Sequence, residues 1–584
     1  MILTLTLIMK FKRFFIIVIS FFILTNDTWS APDAGSLLKQ EKELQQQQNL
    51  PKSIPKSLID DNTKEQKTQN VGEKILIKEF RFEGEIKAFT KEELRKVIQD
   101  LYNKELTFNE IQTAALRIKN FYNQKGYFLA NAVIPKQEVK NGIVIIFVTE
   151  GKLDSKNPYI IKKTGLRLKE DIPKQYLNQS MNGEVTQQGL ERGLLNFNDT
   201  PGVAGTITLE PGDEPGTTKI ILDVVEGPLL SGSVTVDNYG SRYTGEIRTT
   251  GTVNINNPTK YGDQVGLTKI VAPKDNFDLN QASYSFPLGR SGLRGTASYS
   301  KLEYKIGKEL ETNPMSMGTA DLYSTSLKYP LYRTAKRSFF LDGSYDKKKL
   351  YNETTGSVTS NKELDNYGLG FTFQNTDEFI TAGFSQFSFT QTFGDLDLSK
   401  VASSLTSDQG AGGAKTNGSF EKSTLQFLRI QRVTEKLNLQ LLANAQFSNK
   451  NLDSSEKLSL GGATGVRAYP SGEASGDEGR KISLDAKYNL KSGTRFGDII
   501  ASIFYDYGKI RQYKDTLDIS MTTPNEYSLE GWGVALDLIS AGKYNVKVGW
   551  ADAIGGNPGK TSEGKNSDGR GDLSRYWFLA SAQF

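Results

Sequence analysis

Beyond Pro228, apolar and polar side chains alternate residue by residue in short runs separated by Gly, Asn and Asp. That period of two marks β-strands with two unlike faces. Sixteen runs begin near Leu230, Glu246, Asp263, Phe277, Leu293, Ala320, Arg337, Leu364, Glu378, Phe420, Leu437, Lys481, Asp498, Ser528, Tyr544 and Tyr576. In one of them Leu437, Leu439, Leu441, Ala443, Ala445 and Phe447 share a face, while Asn438, Gln440, Asn444 and Gln446 share the other. An apolar outside and a polar inside suit a barrel in lipid around a wet lumen. A soluble barrel of ordinary size would instead be packed inside with aliphatic side chains. The connections alternate too: 287–292, 330–336, 375–377 and 491–496 are short, whereas 347–363, 393–419, 448–480 and 509–527 are long. Outer-membrane barrels have this asymmetry, with short periplasmic turns and long surface loops. The last run places Tyr576, Phe578, Ala580, Ala582 and Phe584 on one face, as a strand closing against the first one would.

Upstream the period changes. Residues 75–82 predict a strand, 90–102 and 108–124 helices, and 127–134 and 143–149 two more strands, a β-α-α-β-β module. Thr90 and Glu93 form a capping box, Gly126 stops the second helix, and Phe108, Ile111, Ala115, Ile118 and Tyr122 recur at helical spacing. The same order returns in 159–162, 173–179, 186–196, 205–209 and 218–225. Two modules therefore stand in tandem, 74–153 and 154–228, ahead of a barrel over 229–584. Their exposed strand edges could bind an extended peptide by strand addition. Before them, residues 31–50 predict a polar, Gln-rich helix with Ser36 as N-cap. A Pro- and Asp-bearing stretch over 51–73 reads as a solvated linker, so the helix is expected to be tethered, not packed in a core. Lys10, Lys12 and Arg13 before an apolar run over 14–24, then Thr28-Trp29-Ser30, read as a cleaved signal peptide over 1–30. That run is too short to span a bilayer as a helix, which takes about 20 residues, so membrane insertion requires a closed barrel.

Composition narrows the chemistry. The 584 residues contain no histidine and no cysteine, which removes Ser-His-Asp and Cys-His catalysis and zinc sites built on imidazole or thiolate. A net charge of +5 spread over 72 basic and 67 acidic residues leaves no nucleic-acid footprint. No enzyme activity, cofactor or metal is expected. Gly559-Lys560-Thr561 mimics the end of a phosphate-binding loop, but Ile554 stands where its first glycine belongs and a strand follows, so no nucleotide is expected. Arg570-Gly571-Asp572 mimics an adhesion tripeptide in a loop whose composition produces it by chance.

Four stretches resemble the two-partner secretion transporters, the TpsB branch of the superfamily that joins POTRA modules to an outer-membrane barrel. They are Leu190-Glu191-Arg192-Gly193-Leu194-Leu195 with Asn198-Asp199-Thr200-Pro201-Gly202-Val203; Asp237-Asn238-Tyr239-Gly240-Ser241-Arg242-Tyr243-Thr244-Gly245; Val466-Arg467-Ala468-Tyr469-Pro470 with Gly472-Glu473-Ala474-Ser475-Gly476-Asp477; and Phe504-Tyr505-Asp506-Tyr507-Gly508. The resemblance implies a mainly β fold, a 16-stranded transmembrane barrel behind two periplasmic POTRA modules, and secretion of a TpsA-like adhesin or haemolysin through it, a form of type V secretion. It implies a monomer in outer-membrane lipid. An assembly factor inserting barrels into the membrane shares the fold and is the alternative. The family usually has Gly after the loop arginine; here Ala468 predicts strain if that turn needs positive φ.

Counting from a first strand that leaves the periplasm, the loop bearing Arg467 is the sixth surface loop. In the thirteenth strand Ile503, Tyr505 and Tyr507 face lipid, which turns Phe504 and Asp506 inward. A loop folded into the lumen would set the Arg467 fork against the Asp506 carboxylate. Val466, Arg467, Tyr469, Phe504, Asp506 and Gly508 are therefore the candidate lock, and the resemblance implies that this loop tip is needed for secretion. For the Gln-rich helix the resemblance implies a pore plug; a solvated tether remains the other reading.

Overall fold

The computed structural model describes residues 31–54, 74–164, 167–181, 185–214, 217–311, 315–354 and 356–584. The expected signal peptide and most of the expected linker lie outside the described residues.

Sixteen antiparallel strands close into a barrel, each paired with its sequence neighbour. The first, Leu230–Asp237, meets the last, Ser574–Gln583, through Ser233–Asp237 against Leu579–Gln583. Phe584 extends that seam by two backbone hydrogen bonds with Gly232, 2.9 and 3.0 Å. Gly232 is needed there, because a Cβ on it would come within 2.6 Å of the Phe584 ring. Closure removes every unpaired strand edge, the condition for spanning lipid with strands. The predicted alternation holds: Leu369, Ile503 and Val548 face outward and are exposed, whereas Phe504, Asp506 and Gln446 face inward and are buried.

Several expected features are corrected. Residues 347–363 are not a long loop, because the seventh strand runs Arg337–Thr354 and the eighth Ser357–Asp377. Strands of 18 and 21 residues are longer than the roughly 9–11 that cross a bilayer, so the tip of the hairpin extends past it, where both faces are wet, apolar alternation disappears and the polar sequence reads as loop. The long surface loops are 398–417, 449–477, 512–525 and 554–573.

In the first module the expected strand over 75–82 is two strands, Lys74–Ile77 and Glu79–Glu85. The former pairs with Lys104–Thr107, a strand not expected, and the latter lies parallel to Ile143–Thr149. The helix expected over 90–102 ends at Val97 and continues as a 3-10 turn, Gln99–Leu101. Its Thr90–Glu93 capping box is present, as is positive φ at Gly126 after the helix Phe108–Gln124. The second module packs helices Asp171–Met181 and Gln187–Asn198 on Tyr159–Thr164, Thr217–Glu226 and Val203–Pro211.

The N-terminal helix, Ala34–Gln48, is packed and not merely tethered. Ala34, Leu37 and Leu38 sit inside the barrel among Leu279, Leu302, Leu350, Leu364 and Phe420. Three aliphatic residues on one side suffice, since the barrel rather than a solvent-facing protein surface receives them. Its N-cap is Asp33, with Ser36 answering from the third position of a capping box. Leu50 and Ile54 then pack by Phe384, Leu428 and Ile430, close to the turn over 378–382 where the chain leaves the barrel.

Candidate functional site: the occupied lumen

Loop 449–477 folds back into the barrel, and its tip reaches the wall formed by the twelfth strand, Glu478–Thr494, and the thirteenth, Gly497–Arg511. Arg467 donates to Asp506 through Nε (2.8 Å), Nη2 (2.7 Å) and its backbone N–H (3.0 Å). Its Nη1 reaches Asp485 at 2.9 Å and Nη2 reaches Ser483 at 3.1 Å. The guanidinium lies over the Phe504 ring, 3.4 Å from its centroid. Burial works against the Arg467 charge, but Asp506 and Asp485 outweigh it, so the net shift of its pKa is upward.

Around the ion pairs the tip is apolar. Val466, Ala468 and Tyr469 are fully buried with Leu460, Phe504 and Leu529. Gly508 makes room: a Cβ there would approach Leu460 and Val466 to 2.9 and 3.1 Å. Ala468 is absent from the positive-φ residues, so the expected strain does not arise. Its methyl faces Gly531 on the fourteenth strand, where an added Cβ would stand 2.6 Å away. A fourth side of the tip is held by Trp577, whose Nε1 donates to the Arg467 carbonyl at 2.6 Å.

The stem of the loop braces its neighbours. Glu473 accepts from Asn557 Nδ2 (2.8 Å) and the Ser567 amide (2.7 Å) in the loop over 554–573; burial pushes its carboxyl up. Asp477 accepts the amides of Leu452 (3.0 Å) and Lys514 (2.8 Å). Asn451 joins Ala414 to Asp515, both at 2.8 Å. Glu456 pairs with Lys348 and Lys422 and accepts from Asn366 Nδ2 at 2.8 Å. Burial opposes its charge, yet the two lysines hold its carboxyl well below the usual range.

The helix is wedged beside this loop by charge as well as packing. Glu41 meets Arg248, which also holds Asp237 at 3.0 Å. Glu43 meets Lys481 at 3.1 Å, Lys42 meets Asp346, and Gln47 donates to the Thr464 carbonyl at 2.7 Å. Asp33 accepts from Ser454 at 2.7 Å. Gly472, at φ 85°, passes the helix so closely that a Cβ would lie 2.8 Å from Gln40.

The motif in the second module docks it on the barrel. Arg192 donates to the Pro330 carbonyl (3.1 Å), Asn196 to the Ser291 carbonyl (3.1 Å), and Glu191 accepts the Ala335 amide (2.9 Å). Asp199 pairs with Arg333 at 2.8 Å. All four contacts fall on the short turns or the strand end that leads into one, so the module sits at the mouth opposite the long loops.

The structure thus brings all six candidate residues, Val466, Arg467, Tyr469, Phe504, Asp506 and Gly508, to one place. Asp485 and Ser483 join them unexpectedly, although inward alternation of Lys481, Ser483 and Asp485 beside outward Ile482 and Leu484 signals both. Glu456 and the lysines around it carry no such signal. Of the mimics, Arg570 is occupied by Glu246 at 3.0 Å and Gly559 lies under Tyr527. Among the described residues no group of acidic side chains could hold a metal ion, and no helix is long and apolar enough to cross a membrane.

Comparison with known proteins agrees with this architecture. Residues 216–536 match the model of the haemolysin secretion/activation protein family ShlB/FhaC/HecB, and residues 75–151 match the ShlB-type POTRA domain. The chain is 25% identical over 533 residues to the heme/hemopexin transporter protein HuxB of Haemophilus influenzae, covering 90% of this chain and 92% of that protein. It is 23% identical over 446 residues to the outer membrane transporter CdiB of Dickeya dadantii, 74% of this chain and 75% of that one. The solved structure of CdiB from Escherichia coli superposes with a TM-score of 0.75 at 20% identity, covering 95% of this chain and all of that one, a likeness of fold. The barrel, its docked modules and the family match together make this chain a member of the ShlB/FhaC/HecB family, the outer-membrane transporters of two-partner secretion, which are not enzymes.

Proposed function

We propose that the chain takes an unfolded exoprotein from its POTRA modules in the periplasm and exports it through the barrel, with the helix as plug and the Arg467 loop as lock. The observation that carries this reading is the double occupation of the lumen, by the helix 34–48 and the loop 449–477, above a mouth on which the second module is docked. A passive pore needs neither internal occupant nor modules. The exposed edge strands of the modules supply unpaired backbone groups that an extended chain can meet by strand addition. The cargo is a large secreted exoprotein, and the family resemblance points to an adhesin or haemolysin. Folding of the cargo outside supplies direction.

The test is co-expression of a candidate cargo with the wild-type chain or with residues 75–225 deleted, barrel insertion being checked by heat-modifiable gel mobility. Export by the wild type alone, with both barrels inserted, is the expected result. If the deleted barrel still exports, the modules do not recognise cargo. If neither exports but other barrel proteins fail to assemble without the chain, it is an assembly factor.

A further inference from the structure

The lumen has two unlike walls. On one, Phe504, Leu529, Ala535 and Ala551 are covered by the tip of the Arg467 loop. On the other, formed by the fourth to tenth strands, Leu279, Leu302, Leu350 and Phe420 pack on the helix, and the remainder faces open space. There the register aligns Ser285 with Thr296, Thr296 with Ser326, Ser326 with Ser344, Ser344 with Gly368, and Gly368 with Thr392, one row of hydroxyls and a glycine across six strands.

Two cavities lie along this wall. One of about 690 Å³ separates it from the helix; the other, about 290 Å³, continues to Arg294, Lys328 and Asp342. Both are lined by Ser326, Ser344, Gly368 and Thr390, so they meet. The lower end opens two residues from Pro330 and three from Ser291, whose carbonyls hold the second module. The helix presents Gln45, Gln46, Gln47 and Asn49 to the upper cavity. Carboxamides, the chemistry of a peptide backbone, already face these hydroxyls across the cavity.

A hydroxyl donates or accepts as required, so such a wall satisfies a passing backbone whatever its sequence. Its own strands are fully paired, which rules out tight strand addition, and small side chains leave room for large ones to pass. Passage needs contacts strong enough to admit a chain and weak enough to release it. We propose that the hydroxyl wall of the fourth to tenth strands is the track on which an extended, unfolded polypeptide crosses the lumen, while the Arg467 loop stays docked opposite. This rests on the reading of the chain as an exporter.

The chain has no cysteine, so single thiols can be placed as Ser326→Cys or Thr390→Cys on the track and Ala551→Cys behind the loop. Each full-length variant also carries Leu37→Asp and Leu38→Asp, which free the helix from the lumen, and in a planar bilayer meets a Gly-Ser-Asn peptide with one central activated disulfide. The peptide has about thirty residues, enough at about 3.3 Å per residue to span the barrel. Entry registers as current blockade, and contact as a mixed disulfide. The expected result is blockade with adducts at 326 and 390, about tenfold or more above 551, where the thiol has no access. Blockade with equal or greater adduct at 551, or with none on the track, overturns the track and leaves export standing. Absence of both blockade and adduct overturns the track together with the exporter reading.

Discussion

Replacing Arg467 with alanine isolates the lock. The Arg467 side chain is 11% exposed, which places its pairs with Asp506 and Asp485 among buried ion pairs. Removing one partner of such a pair costs about 3–5 kcal/mol, because the carboxylates left behind stay buried and unpaired. An exposed pair would cost about 0–1 kcal/mol. At about 1.4 kcal/mol per decade, the ratio of docked to undocked loop falls by about two to three and a half powers of ten. Trypsin added to intact cells reads that ratio through cleavage at Lys457, since proteolysis tracks the open population when reclosing is fast. Barrel insertion is checked in parallel. Adding Asp485→Asn and Asp506→Asn to Arg467→Ala removes the stranded charges and is expected to recover much of the loss. A rise in cleavage below about fivefold, the most that an exposed pair of about 1 kcal/mol could give, would refute the buried lock. Failure of the triple variant to recover would show that stranded carboxylates are not the cause.

Three further outcomes are expected. Glu456 has a folded pKa below its unfolded value near 4.5, so its stabilisation is full above about pH 4.5 and is lost as pH falls toward the folded value; protease resistance of the loop should drop there, and Glu456→Gln should flatten that acid limb. Leu37→Asp with Leu38→Asp removes about 1.5–3 kcal/mol of burial per leucine and should raise bilayer conductance by freeing the helix, whereas unchanged conductance would sink the plug. Gly531→Ala drives a Cβ to 2.6 Å from that of Ala468 and should cost about 1–3 kcal/mol of overpacking; Ala468→Gly should restore protease resistance, and a double variant as weak as the single one would contradict the contact.

Much of the barrel was legible because lipid outside and water inside impose a period of two that one chain displays by itself. The hairpin of the seventh and eighth strands was misread where this contrast ends, as Asn361 and Lys362 look the same in a loop as in a strand wet on both faces. Inward placement of Phe504 and Asp506 followed from the same period, and Asp485 could have followed from it. The packing of the helix was illegible for a different reason. Glu41, Lys42 and Glu43 become anchors only through Arg248, Asp346 and Lys481, residues some 200 to 440 positions away, and local pattern carries no information about such partners. The broken first strand of the first module hides at Lys78, which differs in nothing from a polar position within a strand.

The long hairpin also has a practical meaning. Its ties to the loop stem are made by Lys348 and Lys362, with Glu456 and Asp453, and Lys362 stands six positions from the turn at Gly356. Nearer the tip, Ser404 of the loop over 398–417 donates to the Thr359 carbonyl at 2.8 Å, so at about 3.3 Å per residue the tip stands roughly 10 Å beyond its outermost tie. The loops over 398–417, 512–525 and 554–573 have no such freedom, being braced through Asn451, Asp477 and Glu473. An epitope or fluorescent tag spliced in at Gly356 would thus be displayed to antibodies on living cells while the Arg467 loop stayed docked beneath it, and the same tag in the braced loops would disturb that docking.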